Sequence, residues 1–334
     1  MKVMVTGVAG LLGSFVAEKF VESGNQVVGV DNLISGYHDN IPRGISFHKA
    51  DTANFALMLE LMQGVDIVFH AACTAYEGLS VFSPALITQN TFGNSISLFS
   101  AAISKGVKKI IYCSSMARYG SQERVPFTEE MIPRPQDPYG ISKLACEETL
   151  RELCNTHGIE YSIAVPHNII GPRQKYDDPY RNVASIMTNL MLQGRQPIIY
   201  GDGNQVRCFS FINDVVEPLF KMSSVNYLSG EVINVGPDEN PITILALAEL
   251  IASRLDFDLQ PVFLPDRPRE VKLATCSAQK ARDLLQYETK TSLEEGIDSI
   301  INYIQKRGVR PFNYHMPLEI NNNLTPQSWT RRLF

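Results

Sequence analysis

Lys2-Val3-Met4-Val5-Thr6-Gly7-Val8-Ala9-Gly10-Leu11-Leu12-Gly13 is the stretch that decides the fold. Val3 to Thr6 are apolar or β-branched and read as a strand. Leu12, Phe15, Val16 and Phe20 then recur at helical spacing, with Gly24 at the stop. Gly7, Gly10 and Gly13 fall on the turn between the two. Such a turn lets the backbone come close to a pyrophosphate, which then rests on the helix N-terminus. A second apolar run over 26–30 ends in Asp31. An acidic residue at a strand tip about 20 positions beyond the glycines can accept hydrogen bonds from ribose hydroxyls. The plainer alternative is a tight turn beside a solvated aspartate. Glycines and aspartate together favour a dinucleotide site, and Asp31 would repel a 2′-phosphate, so NAD is expected rather than NADP.

Further strand-like runs follow at 65–69, 109–113 and 161–165, each beside an amphipathic stretch. Strand and helix alternating in this way predict an α/β fold, a Rossmann-type doubly wound parallel sheet covered on both faces. The texture changes near residue 170. Gly171-Pro172-Arg173-Gln174 and the polar stretch 175–182 read as loop, followed by short strands at 197–200 and 209–212 and helices at 243–254 and 293–306. Three parts are therefore expected. They are an NAD-binding domain over 1–170 with some later segments returning to it, a smaller C-terminal substrate-binding lobe over 171–310, and a tail over 311–334. The tail holds Asn321-Asn322-Asn323 and the only tryptophan, Trp329. It has no clear period and reads as extended chain packed on the body or on a partner chain.

Composition bounds the function. The 334 residues are 44% hydrophobic and 19% charged, which is globular usage. Thirty basic against thirty-five acidic side chains give a net charge of −5, which argues against broad binding to nucleic acid or anionic lipid. No uncharged apolar run approaches the ~20 residues of a membrane span, and no secretory leader is visible. Cys73, Cys113, Cys146, Cys154, Cys208 and Cys276 form no CxxC pair and no metal-like spacing with the six histidines. Buried free thiols in a cytoplasmic protein without a metal site are expected.

Tyr139-Gly140-Ile141-Ser142-Lys143 puts a tyrosine and a lysine four apart, on one face of a helix. Alone this could be a surface pair. Ser115, however, follows the strand at 109–113, and open α/β sheets bind their ligands at the C-terminal ends of strands. Ser115, Tyr139 and Lys143 are thus the candidate chemical centre.

These motifs recur with His70-Ala71-Ala72, Asn168 through Gln174, Tyr200-Gly201-Asp202-Gly203, then Gln205, Arg207 and Phe209, and Arg267 with Glu270. In this order and spacing the chain, over residues 1–305, resembles the extended short-chain dehydrogenases/reductases that act on nucleotide-diphospho-sugars, most closely the UDP-glucose 4-epimerase branch. The resemblance implies Asp31, Asn32, Leu33, Ser35 and Gly36 around the adenosine ribose, and Asp51 and Thr52 at the adenine. It places the amides of Leu11 and Leu12 at the pyrophosphate, and Ala71, Ala72, Cys73, Thr74 and Asn90 along the cofactor. His167 would lie near the nicotinamide, with Tyr139 and Lys143. Asn168, Asn182, Val183 and Tyr200 would touch the nucleotide-sugar. Arg207 and Arg267 would clamp its diphosphate, a role suited to guanidinium, and Glu270 would meet the uridine ribose. Val165 departs from the family, which often has arginine there.

The mechanism so implied is reversible hydride transfer. Tyr139 as phenolate takes the proton of the sugar 4-hydroxyl while NAD takes the hydride from C4. Lys143 draws the phenol from its usual value of about 10 toward neutrality, and Ser115 shares the hydrogen bond to the reacting oxygen. The 4-keto sugar turns over and the hydride returns to its other face. The competing classes are a dehydratase or decarboxylase on the same scaffold and a non-catalytic NAD(H)-sensing regulator. The retained Ser115, Tyr139 and Lys143 speak against the regulator. Met116 and Ala117 stand where the dehydratases carry an acidic pair and the decarboxylases a glutamate, and neither can transfer a proton. Ala274 is expected on the C2 side of the sugar, where a small residue would admit N-acetylated UDP-hexosamines. The resemblance also implies a homodimer through helices near 92–105 and 140–157, with Ile141, Leu144, Ala145 and Leu153 on the apolar face.

Overall fold

β1 (Lys2–Thr6), β2 (Gln26–Asp31), β3 (Ser46–Lys49), β4 (Ile67–His70), β5 (Lys109–Cys113), β6 (Glu160–Pro166) and β7 (Val232–Val235) form one sheet in the computed structural model, which describes residues 1–224 and 228–334. The order is β7-β6-β5-β4-β1-β2-β3, with every neighbouring pair parallel. β4 and β5 are buried along their whole length, as strands covered on both faces must be. Side chains alternate between the two layers. Val3 and Val5 join the core under α1 (Leu11–Glu22), with Val16 and Phe20. Met4 joins the opposite core with Leu98 and Leu150.

That second layer consists of α2 (Phe55–Leu61), α3 (Asn94–Ser104) and α4 (Pro138–His157). The ends of α4 are fixed by three local devices. Asp137 accepts from the Gly140 amide at 2.9 Å, Pro138 occupies the first turn, and Gly158 ends the helix in the left-handed conformation, φ 67°. After β1 the chain builds outward to β2 and β3, then crosses back to β4 on the other side. The sheet therefore has a switch point between the C-terminal ends of β1 and β4, where a crevice opens.

Among the described residues the further helices of seven or more residues are α5 (Val183–Leu192), α6 (Ile212–Lys221), α7 (Ile244–Leu255), α8 (Gln279–Leu285) and α9 (Leu293–Arg307). α5, α7 and α9 pack on each other through Met187, Leu247, Ile251, Ile297 and Ile300 and form the smaller lobe. α6 and α8 do not belong to it. Val215 and Leu219 of α6, and Ala281 and Leu285 of α8, pack with Phe20 of α1 beneath β7. Residues 171–310 are thus shared between lobe and sheet. The strand read at 209–212 is only Ser210–Phe211, because Ile212, Val215, Val216 and Leu219 are spaced as a helix and start one at Ile212.

The tail lies on its own chain. Trp329 Nε1 donates to Pro179 O at 3.3 Å, and the Asn313 amide to Asp177 O at 2.8 Å. Glu319 accepts the amides of Ala85 and Leu86 at 2.9 and 2.8 Å. Among the described residues no helix is long and apolar enough to cross a membrane, and no group of three or more histidine, cysteine or acidic side chains could hold a metal ion.

Candidate active site

The turn after β1 shapes one wall of the crevice. Gly7 has φ +73°, and a Cβ there would lie 3.0 Å from the Ala72 backbone after β4; a Cβ on Gly13 would collide with the Gly7 carbonyl. Only glycines allow this close stacking of strand, turn and helix. Gly10 starts α1 without any side-chain cap. The first amides of α1 are left to the crevice, which Gly7, Gly10, Leu11, Leu12 and Gly13 line. Thr6 Oγ1 accepts from the Ala72 amide at 3.2 Å and shares a hydrogen bond with His70 Nδ1 at 2.7 Å, which ties the tips of β1 and β4 together. Burial holds the His70 imidazole down at about 3, the nearby Lys143 adding to the effect.

Asp31 closes β2 at the same end. Its carboxylate accepts the amides of Ala9 at 2.9 Å and Leu33 at 2.7 Å. Burial raises the carboxyl, and these two amides, with the Arg181 charge, draw it back. Asp31 lines a recess with Asn32, Ser35, Gly36, Thr52, Ala71, Ala72, Cys73, Thr74 and Asn90. The recess shares Gly7, Gly10, Ser35, Ala71, Cys73 and Arg181 with the main cavity, so the two are one crevice. These features fit a dinucleotide: a glycine cradle that a Cβ would fill, uncapped helix amides and an acid at the next strand tip.

The main cavity has a volume of about 400 Å³ and holds the candidate chemical centre. Ser115, Tyr139 and Lys143 all line it, brought together from the end of β5 and the first turns of α4. Lys143 Nζ donates to the Cys113 carbonyl at 2.6 Å and sits 5.8 Å from the centroid of the Tyr139 ring. The Cys73 sulfur is 4.0 Å from the Tyr139 hydroxyl. Burial pushes the Tyr139 phenol well above its ordinary value, the Cys73 thiol adds to this, and the Ser115 side chain pulls it down. The Lys143 ammonium is itself committed to the Cys113 carbonyl. Beneath the centre, Glu147 of α4 accepts from Ser114 Oγ and pairs with Arg118 at 2.9 Å, both buried.

The far side of the cavity carries Asn168, Asn182, Val183, Tyr200, Arg207, Arg267 and Glu270. Asn182 also caps α5, accepting the Ala184 amide at 3.0 Å. The Arg267 guanidinium lies 4.6 Å over the Tyr200 ring and pairs with Glu270 at 2.7 Å. Arg207 is 4.0 Å from the same carboxylate.

Four expected residues are not brought to the crevice. The His167 ring is bonded to the Pro237 carbonyl at 2.9 Å and packs on Gly236, facing away from the cavity that Pro166 and Asn168 line. Ala274 pairs in register with Arg207 on a short strand and is buried in the core with Val271 and Cys276. It does not line the cavity. Asp51 is spent on Asn94 Nδ2 at 2.6 Å and Asn32 Nδ2 at 3.1 Å. Leu33 contributes its amide to Asp31, with φ +65°. Conversely, Glu77, Asp137, Arg181 and Phe334 line the cavity and were not singled out from the sequence. Arg181 directly precedes Asn182-Val183, so position alone pointed to it. Nothing in the local pattern marks Glu77 or Phe334.

A glycine-cradled crevice at the switch point of a doubly wound sheet, with a serine, tyrosine and lysine in it, defines a dinucleotide-dependent enzyme scaffold. The chain belongs to the NAD dependent epimerase/dehydratase family, whose sequence model matches residues 3–236. It is 30% identical over 308 residues to a putative UDP-glucose 4-epimerase of Methanocaldococcus jannaschii, covering 91% of this chain and 98% of that protein. The UDP-glucose 4-epimerase of Thermotoga maritima, solved with UDP-glucose, superposes with a TM-score of 0.86 at 34% identity, covering 92% of this chain and 99% of the other. A UDP-N-acetylglucosamine 4-epimerase of Methanobrevibacter ruminantium, in complex with UDP-N-acetylmuramic acid, gives 0.85 at 29% identity, with 92% and 99% covered.

Proposed function

We propose that this chain is an NAD-dependent 4-epimerase of a UDP-linked hexose. One observation carries the reading: Ser115, Tyr139 and Lys143 share a single cavity with the glycine turn at one end and Arg207 and Arg267 at the other. A nucleotide-sugar held by the two guanidiniums would present its sugar to Tyr139.

Gly7, Gly10, the amides of Leu11 and Leu12, and Asp31 would hold the cofactor. NAD, when bound, supplies the acceptor and donor for the C4 hydride and a positive charge beside the reacting oxygen. Tyr139 Oη accepts the proton of the 4-hydroxyl and later returns it. Lys143 Nζ, fixed by the Cys113 carbonyl, holds the positive field that favours the phenolate form able to take this proton. Ser115 Oγ shares the hydrogen bond at the reacting oxygen. Arg207 and Arg267 keep the diphosphate anchored while the oxidised ring turns over. Met116 and Ala117 follow Ser115 and offer no proton to a departing hydroxyl, which supports inversion without loss of water or CO₂.

The same reading makes the chain a cytoplasmic homodimer. Supporting it, Ile141 is exposed on the outer face of α4 and Leu144, Ala145 and Leu153 beside it are half-buried. Light scattering at micromolar protein tests the dimer. Incubation with UDP-, dTDP-, GDP- and CDP-sugars, followed by NMR, tests the activity. A UDP-hexose is expected to relax to a mixture of its C4 epimers. No change in any UDP-sugar, or a product of different mass, would refute the reading.

A further inference from the structure

The cavity holds a carboxylate that the mechanism above does not use. Glu77 opens the single helical turn Glu77–Ser80, beyond β4, and lines the cavity with Tyr139, Arg207 and Arg267. The turn is fastened at both ends of the space that a sugar must cross. At one end, Ser80 Oγ lies 2.6 Å from the Glu77 carbonyl and 3.2 Å from Asp137 Oδ1, at the start of the helix that carries Tyr139. At the other, Gly78 lies against Arg267, and a Cβ on it would be 3.2 Å from Nη1.

The carboxylates of the cavity differ in what they already bind. Asp137 is committed to the Gly140 amide and Ser80, and Glu270 to Arg267. Among the described residues, no hydrogen bond or ion pair holds the Glu77 carboxylate. It opens into the cavity. Enclosure by protein and the neighbouring Asp137 push this carboxyl up to about 7, against the pull of Arg207 and Arg267. It also raises the phenol of Tyr139. Its charge is thus felt at both ends of the path between the reacting oxygen and the diphosphate.

We propose that Glu77 selects the sugar, accepting hydrogen bonds from hydroxyl or amide groups of a neutral hexose and turning away uronic acids, whose carboxylate it would face. An acceptor-only group rewards donors on the ligand, and like charges facing each other across the cavity repel. The inference rests on the UDP-sugar reading and names the class of sugar for that same site.

The test is titration calorimetry of the NAD-loaded protein with UDP, UDP-glucose and UDP-glucuronate, above pH 7, in the wild type and in Glu77→Gln. The wild type is expected to bind UDP-glucuronate at least roughly tenfold more weakly than UDP-glucose. Glu77→Gln should close most of that gap, and UDP, which carries no sugar, should still bind the variant. Equal affinity for the two sugars in the wild type, or an unchanged ratio in the variant, overturns the proposal while UDP binding still upholds the site. Loss of all three ligands together in the variant also overturns it, since Glu77 would then serve the shape of the pocket. Failure of UDP to bind the wild type would remove the nucleotide-sugar reading itself, and the proposal with it.

Discussion

Lys143 Nζ lies 2.6 Å from the Cys113 carbonyl oxygen, so the lysine of α4 is anchored to the last residue of β5. This one bond joins the helix that presents Tyr139 to the strand end that leads into Ser115. It also explains why the tyrosine, lysine and serine meet although they lie up to 28 positions apart in the chain, from Ser115 to Lys143.

Tyr139→Phe removes the proton acceptor and keeps the ring. Turnover should fall by ~10²–10⁴, the usual worth of a positioned acid–base group. Nucleotide-sugar affinity, measured by calorimetry, should hold, because Arg207 and Arg267 are untouched. Wild-type turnover in the variant would remove Tyr139 from its role.

Asp31 turns both carboxylate oxygens toward backbone amides at the tip of β2. A 2′-phosphate placed beside it would be repelled in a partly desolvated recess. NAD should bind at least about tenfold more tightly than NADP, a difference of about 1.4 kcal/mol. Equal affinities would show that the recess receives something other than the ribose.

The buried pair Arg118–Glu147 supports the chemical centre from below. Glu147→Leu leaves an unpaired guanidinium in the core and should cost about 3–5 kcal/mol in urea unfolding. The double variant Arg118→Met/Glu147→Leu should recover much of the loss. An additive double variant would contradict the coupling of the two.

His70 gives the chain an acid limit. Its folded pKa, about 3, lies below the ordinary 6.5, so below that value the unfolded chain binds a proton that the native state refuses. Its contribution to stability is complete above pH 6.5 and is lost as pH falls toward 3, at about 1.4 kcal/mol per pH unit. Burial lowers His167 as well, and it acts in the same direction. Replacing His70 with glutamine should flatten the stability–pH curve between pH 6 and 4. An unchanged slope would contradict this account.

Much of the sheet was readable because its central strands are continuous apolar runs beside periodic helices. The glycine turn and Asp31 sat where strand and helix signals place them. The edges were not readable. β3, Ser46-Phe47-His48-Lys49, is short and mostly polar, because it is the rim of the sheet. β7 comes from the middle of the lobe segment, and its interior Asn234 hides its strand pattern; that side chain accepts from Tyr119 Oη at 2.8 Å and donates to the Phe127 carbonyl at 3.2 Å. Within the site, spacing located Ser115, Tyr139 and Lys143, whose geometry follows from one strand and one helix. His167 and Ala274 were placed by the resemblance, and neither lines the cavity: His167 precedes a turn of the backbone, and Ala274 lies on a short strand in the core. Asn168, with φ +45°, stands at that turn. Glu77 and Phe334 reach the cavity only through tertiary packing of a short turn and the tail, which no local pattern encodes.

The central claim is that a UDP-hexose is inverted at C4 by removal and return of the same hydrogen. It is tested most directly with a UDP-hexose deuterated at C4, chosen from those the protein converts, in ordinary water. The account predicts the C4 epimer of unchanged mass, with the deuterium still on C4 by NMR and conversion by Tyr139→Phe slowed by ~10²–10⁴. Loss of the label to solvent, or a product lighter by water or CO₂, would contradict it.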